Sequence, residues 1–126
     1  MDQTLKMGVM LLNSLIYHYH GLDPDEEELL KQTADKYDAV DEMLWANNFI
    51  AEDYISAFQR SRIYLKSIFK SLSKEEVLDY LEEIWIGNYD KGYVTEMETT
   101  AMKHLANDWG VESEFEKIIT ADSKKS

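Results

Sequence analysis

Five glycines and one proline are all the strong backbone punctuation in this 126-residue chain. A protein of short strands and hairpins needs such residues at nearly every reversal, so few reversals of that kind can be written here. Apolar residues instead recur at spacings of three and four, the one-sided pattern of an amphipathic helix. The fold class read from this pattern is all-α.

The spacing predicts a first helix over about Thr4 to Tyr19, with Leu5, Val9, Leu12, Ile16 and Tyr19 on one face and His20-Gly21 as its stop. DPDE at 23–26 opens a second: Asp23 caps, Pro24 occupies the first turn where a missing N–H costs nothing, and Glu26 closes a capping box. That helix is expected to bury Leu29, Leu30, Thr33, Ala34 and Tyr37. A short helix over Val40 to Asn48 and a longer one over Glu52 to Leu72 follow, the latter with Ile55, Phe58, Leu65, Ile68, Phe69 and Leu72 inward. SKEE at 73–76 is a second capping box, for a helix over about Lys74 to Asn88 that turns Val77, Leu78, Leu81, Ile84 and Trp85 inward. Thr95 and Glu98 form a third, ahead of Ala101, Met102, Leu105, Ala106 and Trp109, with Gly110 as C-terminal stop. A last short helix spans about Ser113 to Ile119 and presents Phe115, Ile118 and Ile119. Residues 1–120 are read as one domain, a size at which a chain buries a self-sufficient core, and 121–126 as a flexible tail.

Charge narrows the function classes. The formal net charge is -12, yet 44% of residues are apolar, too many for a disordered acidic chain. Acidity of this degree opposes nonspecific nucleic-acid binding, which depends on neutralising phosphates. One island breaks it: Tyr54 to Lys74 holds 5 basic residues and no acidic one. Arg62, Lys66 and Lys70 lie at i, i+4 and i+8 and form one stripe on a helix, either a solvated face answering the domain's own acidity or a surface for an acidic partner or a second copy in a homodimer. There is no run of about 18 apolar residues to span a bilayer, no export signal and no cysteine. The expected location is therefore cytoplasmic, without membrane insertion.

The chain also repeats itself. Glu26, Leu29, Leu30, Lys31, Ala34 and Tyr37 stand 72 positions before Glu98, Ala101, Met102, Lys103, Ala106 and Trp109, matched in charge, size and face. Val9, Leu12, Leu15 and Ile16 stand 69 before Leu78, Leu81, Ile84 and Trp85, so the second loop is three residues longer. Two helix-loop-helix halves, related by an approximate twofold and closed over a shared core, are the expected organisation.

With the repeat in view, HGLDPDEEELLKQTADKY at 20–37 and YDKGYVTEMETTAMKHLANDWGV at 89–111 resemble the TerB-like domain family, named for the tellurite-resistance protein TerB. Its signature is an apolar helix, a turn of the kind A-D-G-x-I-[DST]-x-x-E, and a helix of the kind LLxxLAxxLG. The resemblance implies a compact bundle of about seven helices, a role in stress response or as a partner-binding module, and acidic turns proposed to hold divalent cations. Carried over residue by residue, the acidic positions are Asp23, Asp25 and Glu26 in the first half and Asp90, Glu96 and Glu98 in the second. Where the family usually has Asp directly before Gly, this chain has His20 and Lys91.

Candidate chemistry beyond that is sparse. Set against a calcium loop, Gly87 to Glu98 offers Gly87, Tyr89 and Lys91 where early oxygen ligands belong, and only Glu98 is properly placed. The segment reads instead as a turn at Gly92, a core residue at Val94, and caps at Thr95 and Glu98. His18 and His20 stand near Asp23 and Asp25, a donor set that suits zinc. Two residues apart, however, they cannot share a helix face, and exposed histidines at a helix end are the preferred reading. His104 has no accompanying nucleophile spacing, and no phosphate loop, HExxH or ExxH motif is present. The sequence points to a non-catalytic, partner-binding domain with a divalent cation as its candidate ligand; the alternative is a metal-dependent enzyme with a carboxylate and histidine cleft between the halves.

Overall fold

A computed structural model of the chain describes residues 1–18, 22–90 and 96–125, with only the backbone course given for 88–90 and 122–125. The described residues form seven α-helices and no strand. They are α1 (Gln3–Tyr17), α2 (Pro24–Lys36), α3 (Val40–Ala51), α4 (Ala57–Phe69), α5 (Lys74–Asp90), α6 (Glu96–Asp108) and α7 (Glu112–Lys125). The chain divides into two compact units, Met1–Lys70 and Ser71–Ser126. No described helix is long and apolar enough to cross a membrane.

In the first unit α1 is the central element, packed against α2, α3 and α4. Its ten residues from Gly8 to Tyr17 are all buried, including Asn13 and Ser14. A helix apolar on one stripe lies at a surface, whereas one covered all round must carry its polar groups inside. Asn13 answers this by donating its Nδ2 to the Val9 carbonyl one turn back, at 2.8 Å. Gly8 is where α4 crosses: a Cβ there would sit 2.9 Å from Ile68 Cγ2 and 3.0 Å from Phe69 Cε1. In the second unit α5, α6 and α7 pack on one another, with Trp85 edge-on to Phe115 at a ring separation of 6.2 Å.

The repeat is visible in the backbone of each unit. Helix α2 ends with Asp38 at φ 52 and α6 with Gly110 at φ 73. Around them the bonds are the same: Asp38 N to Asp35 O and Ala39 N to Ala34 O in one, Gly110 N to Asn107 O and Val111 N to Ala106 O in the other. This is the Schellman arrangement, which satisfies the last carbonyls of a helix through one left-handed residue. Ala39 and Val111, both fully buried, then accept from Met43 N and Phe115 N and start the next helix at once. Every one of these positions is offset by 72, as are both ends of α2 and α6.

Several boundaries differ from the sequence reading. Helix α1 closes at Tyr17 with His18 as C-cap, and the expected stop at His20-Gly21 lies outside the described residues. Helix α3 runs on to Ala51, and α7 to Lys125 instead of Ile119. The largest difference is α4, which begins at Ala57 and not near Glu52. Ile55, expected inward, is 97% exposed, while Phe58, Ile68 and Leu72 are half-buried.

Candidate functional site

What displaces α4 is a turn built by Asp53. Its carboxylate accepts from the Ser56 hydroxyl and from the Ile55 amide, each at 3.0 Å, an Asx turn that offers the backbone an alternative to the helix. These bonds, the one from Ser56 first, hold the Asp53 carboxyl below the usual carboxylate range. Arg60 braces the turn from the other side. Its guanidinium donates to the Phe49 carbonyl at 2.9 Å and to the Asp53 carbonyl at 2.9 Å, and its Nε donates to Ser56 Oγ at 2.8 Å. The same group lies 4.8 Å from the centre of the Phe49 ring. Phe49, Trp45 and Tyr64 in turn form a cluster with ring separations of 5.3 to 5.8 Å. A planar, always-charged fork suits this work, since it closes one carbonyl of the last turn of α3 and one of the turn beyond it at once.

The braced turn projects apolar side chains outward. Tyr54 is 64% exposed beside Ile55. Behind them is a groove of about 270 Å³ lined by Leu15, His18, Ile50, Tyr54, Ile55, Ala57 and Phe58. His18 in its wall, expected exposed, is half-buried here, with Nε2 3.1 Å from Asn47 Oδ1. The other lining side chains are mainly aliphatic and aromatic while polar atoms also reach the groove surface, so it suits an uncharged group with both apolar and hydrogen-bonding parts.

The basic stripe beyond the groove is partly as read from the sequence. Lys66 and Lys70 are exposed, and among the described residues neither makes an ion pair. Arg62 is half-buried, its guanidinium 5.9 Å from the ring of Phe58 and its Nη1 donating to Gln59 at 3.4 Å. Ile63, 65% exposed, lies between these charges.

Two of the acidic candidates, Asp23 and Glu26, cap a helix. Asp23 Oδ1 accepts from Glu26 N at 2.8 Å and Glu26 Oε1 accepts from Asp23 N at 3.3 Å, the capping box expected for α2. Ser73 and Glu76 form the corresponding box of α5. Glu26 and its counterpart Glu98 are both fully buried, whereas Asp25 and Glu96 are exposed in the first turns of α2 and α6. The side chain of Asp90, and residues 91–95 with Thr95 and the turn expected at Gly92, lie outside the described residues. Among the described residues no three His, Asp or Glu side chains converge. His104 is exposed on α6.

Sequence reasoning passed over Arg60 and the Asp53 turn, although D-x-I-S at 53–56 carries the signal of a carboxylate two and three residues ahead of the groups it binds. No family model matches the chain, and neither a curated protein nor a solved structure does.

Proposed function

We propose that the protein is a non-catalytic, TerB-like helical module of the cytoplasm, of the stress-response or tellurite-resistance class, that binds a protein partner at the α3–α4 turn. The observation that carries this is Ile55, almost fully exposed beside Tyr54, both lining a groove whose other side chains are mostly apolar. Isolated apolar side chains on a surface are ordinary, but an adjacent exposed pair on a hydrogen-bonded turn is a surface that gains by being covered, by about 25 cal/mol per Å² of apolar area. Arg62, stacked next to the groove-lining Phe58, favours a partner segment with an apolar anchor followed by carboxylates. Zero cysteines support the reducing location.

The proposal rests on partner binding and not on a metal. Asp25 and Glu96 sit at helix starts, where the partial positive charge of the helix opposes a cation. Capture from the native cell on immobilised wild-type chain, beside Ile55→Asp and Arg62→Glu chains, tests the reading. A protein held by the wild type and released by both substitutions, with or without chelator, is the expected result; a set of captured proteins indifferent to both would sink it.

A further inference from the structure

The outer face of α4 has a counterpart on α5. Ile63, Lys66 and Lys70 follow one exposed line along α4. Ile86, Glu82 and Asp79 follow one line along α5, with Ile86 45% exposed and all three lining a shallow depression. Each line has an isoleucine at one end and a charge seven residues away, a span of about 10.5 Å at 1.5 Å per residue. We infer that these two faces are complementary halves of a self-association surface, the α4 line of one copy lying antiparallel on the α5 line of a second.

The register follows from the spacing. Antiparallel, Ile63 meets Ile86, Lys66 meets Glu82 and Lys70 meets Asp79. The intervals are three then four residues on α4 and four then three on α5, so the middle pair is staggered by about 1.5 Å, within reach of a lysine side chain. A parallel arrangement sets Ile63 against Asp79 and Lys70 against Ile86, leaving both charges and both apolar groups mismatched. Face-on-like-face contacts are excluded by charge: α4 on α4 opposes lysines, and α5 on α5 opposes carboxylates. The occupant is a second copy because the same chain carries both faces, exposed except for the half-buried Glu82, and because none of these four charges makes an ion pair among the described residues. Carboxylates also crowd this side of α5 enough to help burial raise the Tyr80 phenol above its usual range, through Glu76, Glu83 and Asp79.

Two charge-swapped chains test this, Lys66→Glu/Lys70→Glu and Asp79→Lys/Glu82→Lys, each checked for native helicity. Sedimentation at low salt, up to about 1 mM protein, is expected to show concentration-dependent association of the wild type that each swapped chain weakens by about tenfold or more. Mixing the two swapped chains is expected to restore it. The chain contains no cysteine, so Ile63→Cys and Ile86→Cys chains mixed under oxidation give a second readout that does not depend on the swaps: the mixed disulfide should outrun either symmetric one. A wild type monomeric throughout, association indifferent to both swaps, absence of recovery on mixing, or equal yields of the three disulfides each overturns the inference.

Discussion

Asp53 shows how one side chain redirects a chain. Residues 52–56 have apolar spacing that suits a continuous helix, yet a carboxylate able to accept from Ile55 N and Ser56 Oγ competes with the backbone for those donors, and Arg60 supplies the carbonyls left over with a cation. The bonds are stronger to the ionised carboxylate than to the neutral acid. Because they set its folded pKa below the unfolded one, the unfolded chain binds the proton more readily, and their contribution is present above the ordinary Asp pKa and lost as pH falls through the depressed value. The Ile55 amide resonance should therefore titrate with a midpoint below that of an ordinary Asp and lie flat through the acid range in Asp53→Asn. A midpoint at or above the ordinary value would contradict the turn as described. The exposure of Ile55, and with it the proposed docking site, hangs on this residue more than on any apolar one.

At the scale of the helix, caps decide where elements end, and the two repeats solve the same problem with different residues. The left-handed position is Gly110 after α6 but Asp38 after α2. For a residue with a Cβ this conformation costs about 1–2 kcal/mol, less for Asp than for most, while glycine adopts it freely. Asp38→Gly should stabilise the protein by some tenths to about 1 kcal/mol, and Gly110→Ala should destabilise it by about 1 kcal/mol. Lys6 tempers the first only slightly. Its strong contact is with the Asp38 carbonyl at 2.9 Å, which survives the substitution, while the carboxylate it loses is 3.9 Å away and fully exposed. Urea midpoints measure both variants; equal effects of one sign at the two positions would show that the repeat is not energetic. The capping boxes at Asp23–Glu26 and Ser73–Glu76 were legible in the sequence because their chemistry is local, a side chain reaching three residues.

For the whole molecule, charge works in opposite directions on stability and association. A formal net charge of -12 repels itself in the folded chain. Salt that shortens the screening length to about 4–5 Å near 0.5 M relieves that repulsion and equally weakens lysine–carboxylate pairs between copies. The thermal midpoint is expected to rise from low to high salt while sedimentation shows less association. A parallel rise of both would place the self-association on apolar contacts alone, independent of Lys66, Lys70, Asp79 and Glu82.

The sequence by itself determined the all-α class, the seven helices, the stops and starts at Asp23, Ser73 and Gly110, and a repeat in which several matching positions bury alike: Leu30 with Met102, Ala34 with Ala106, Glu26 with Glu98. These are settled by neighbours within a turn or two, and a one-dimensional pattern records them. Tertiary structure alone decided which helix is central. The apolar stripe of α1 gives no warning that Asn13 and Ser14 are enclosed as well, because that depends on α2, α3 and α4 arriving from distant parts of the chain. It also decided that Ile55 faces water. Helical spacing assigns it inward, but the Asp53 turn, braced by Arg60 through the Phe49 and Asp53 carbonyls eleven and seven residues back, delays α4 to Ala57 and turns it out.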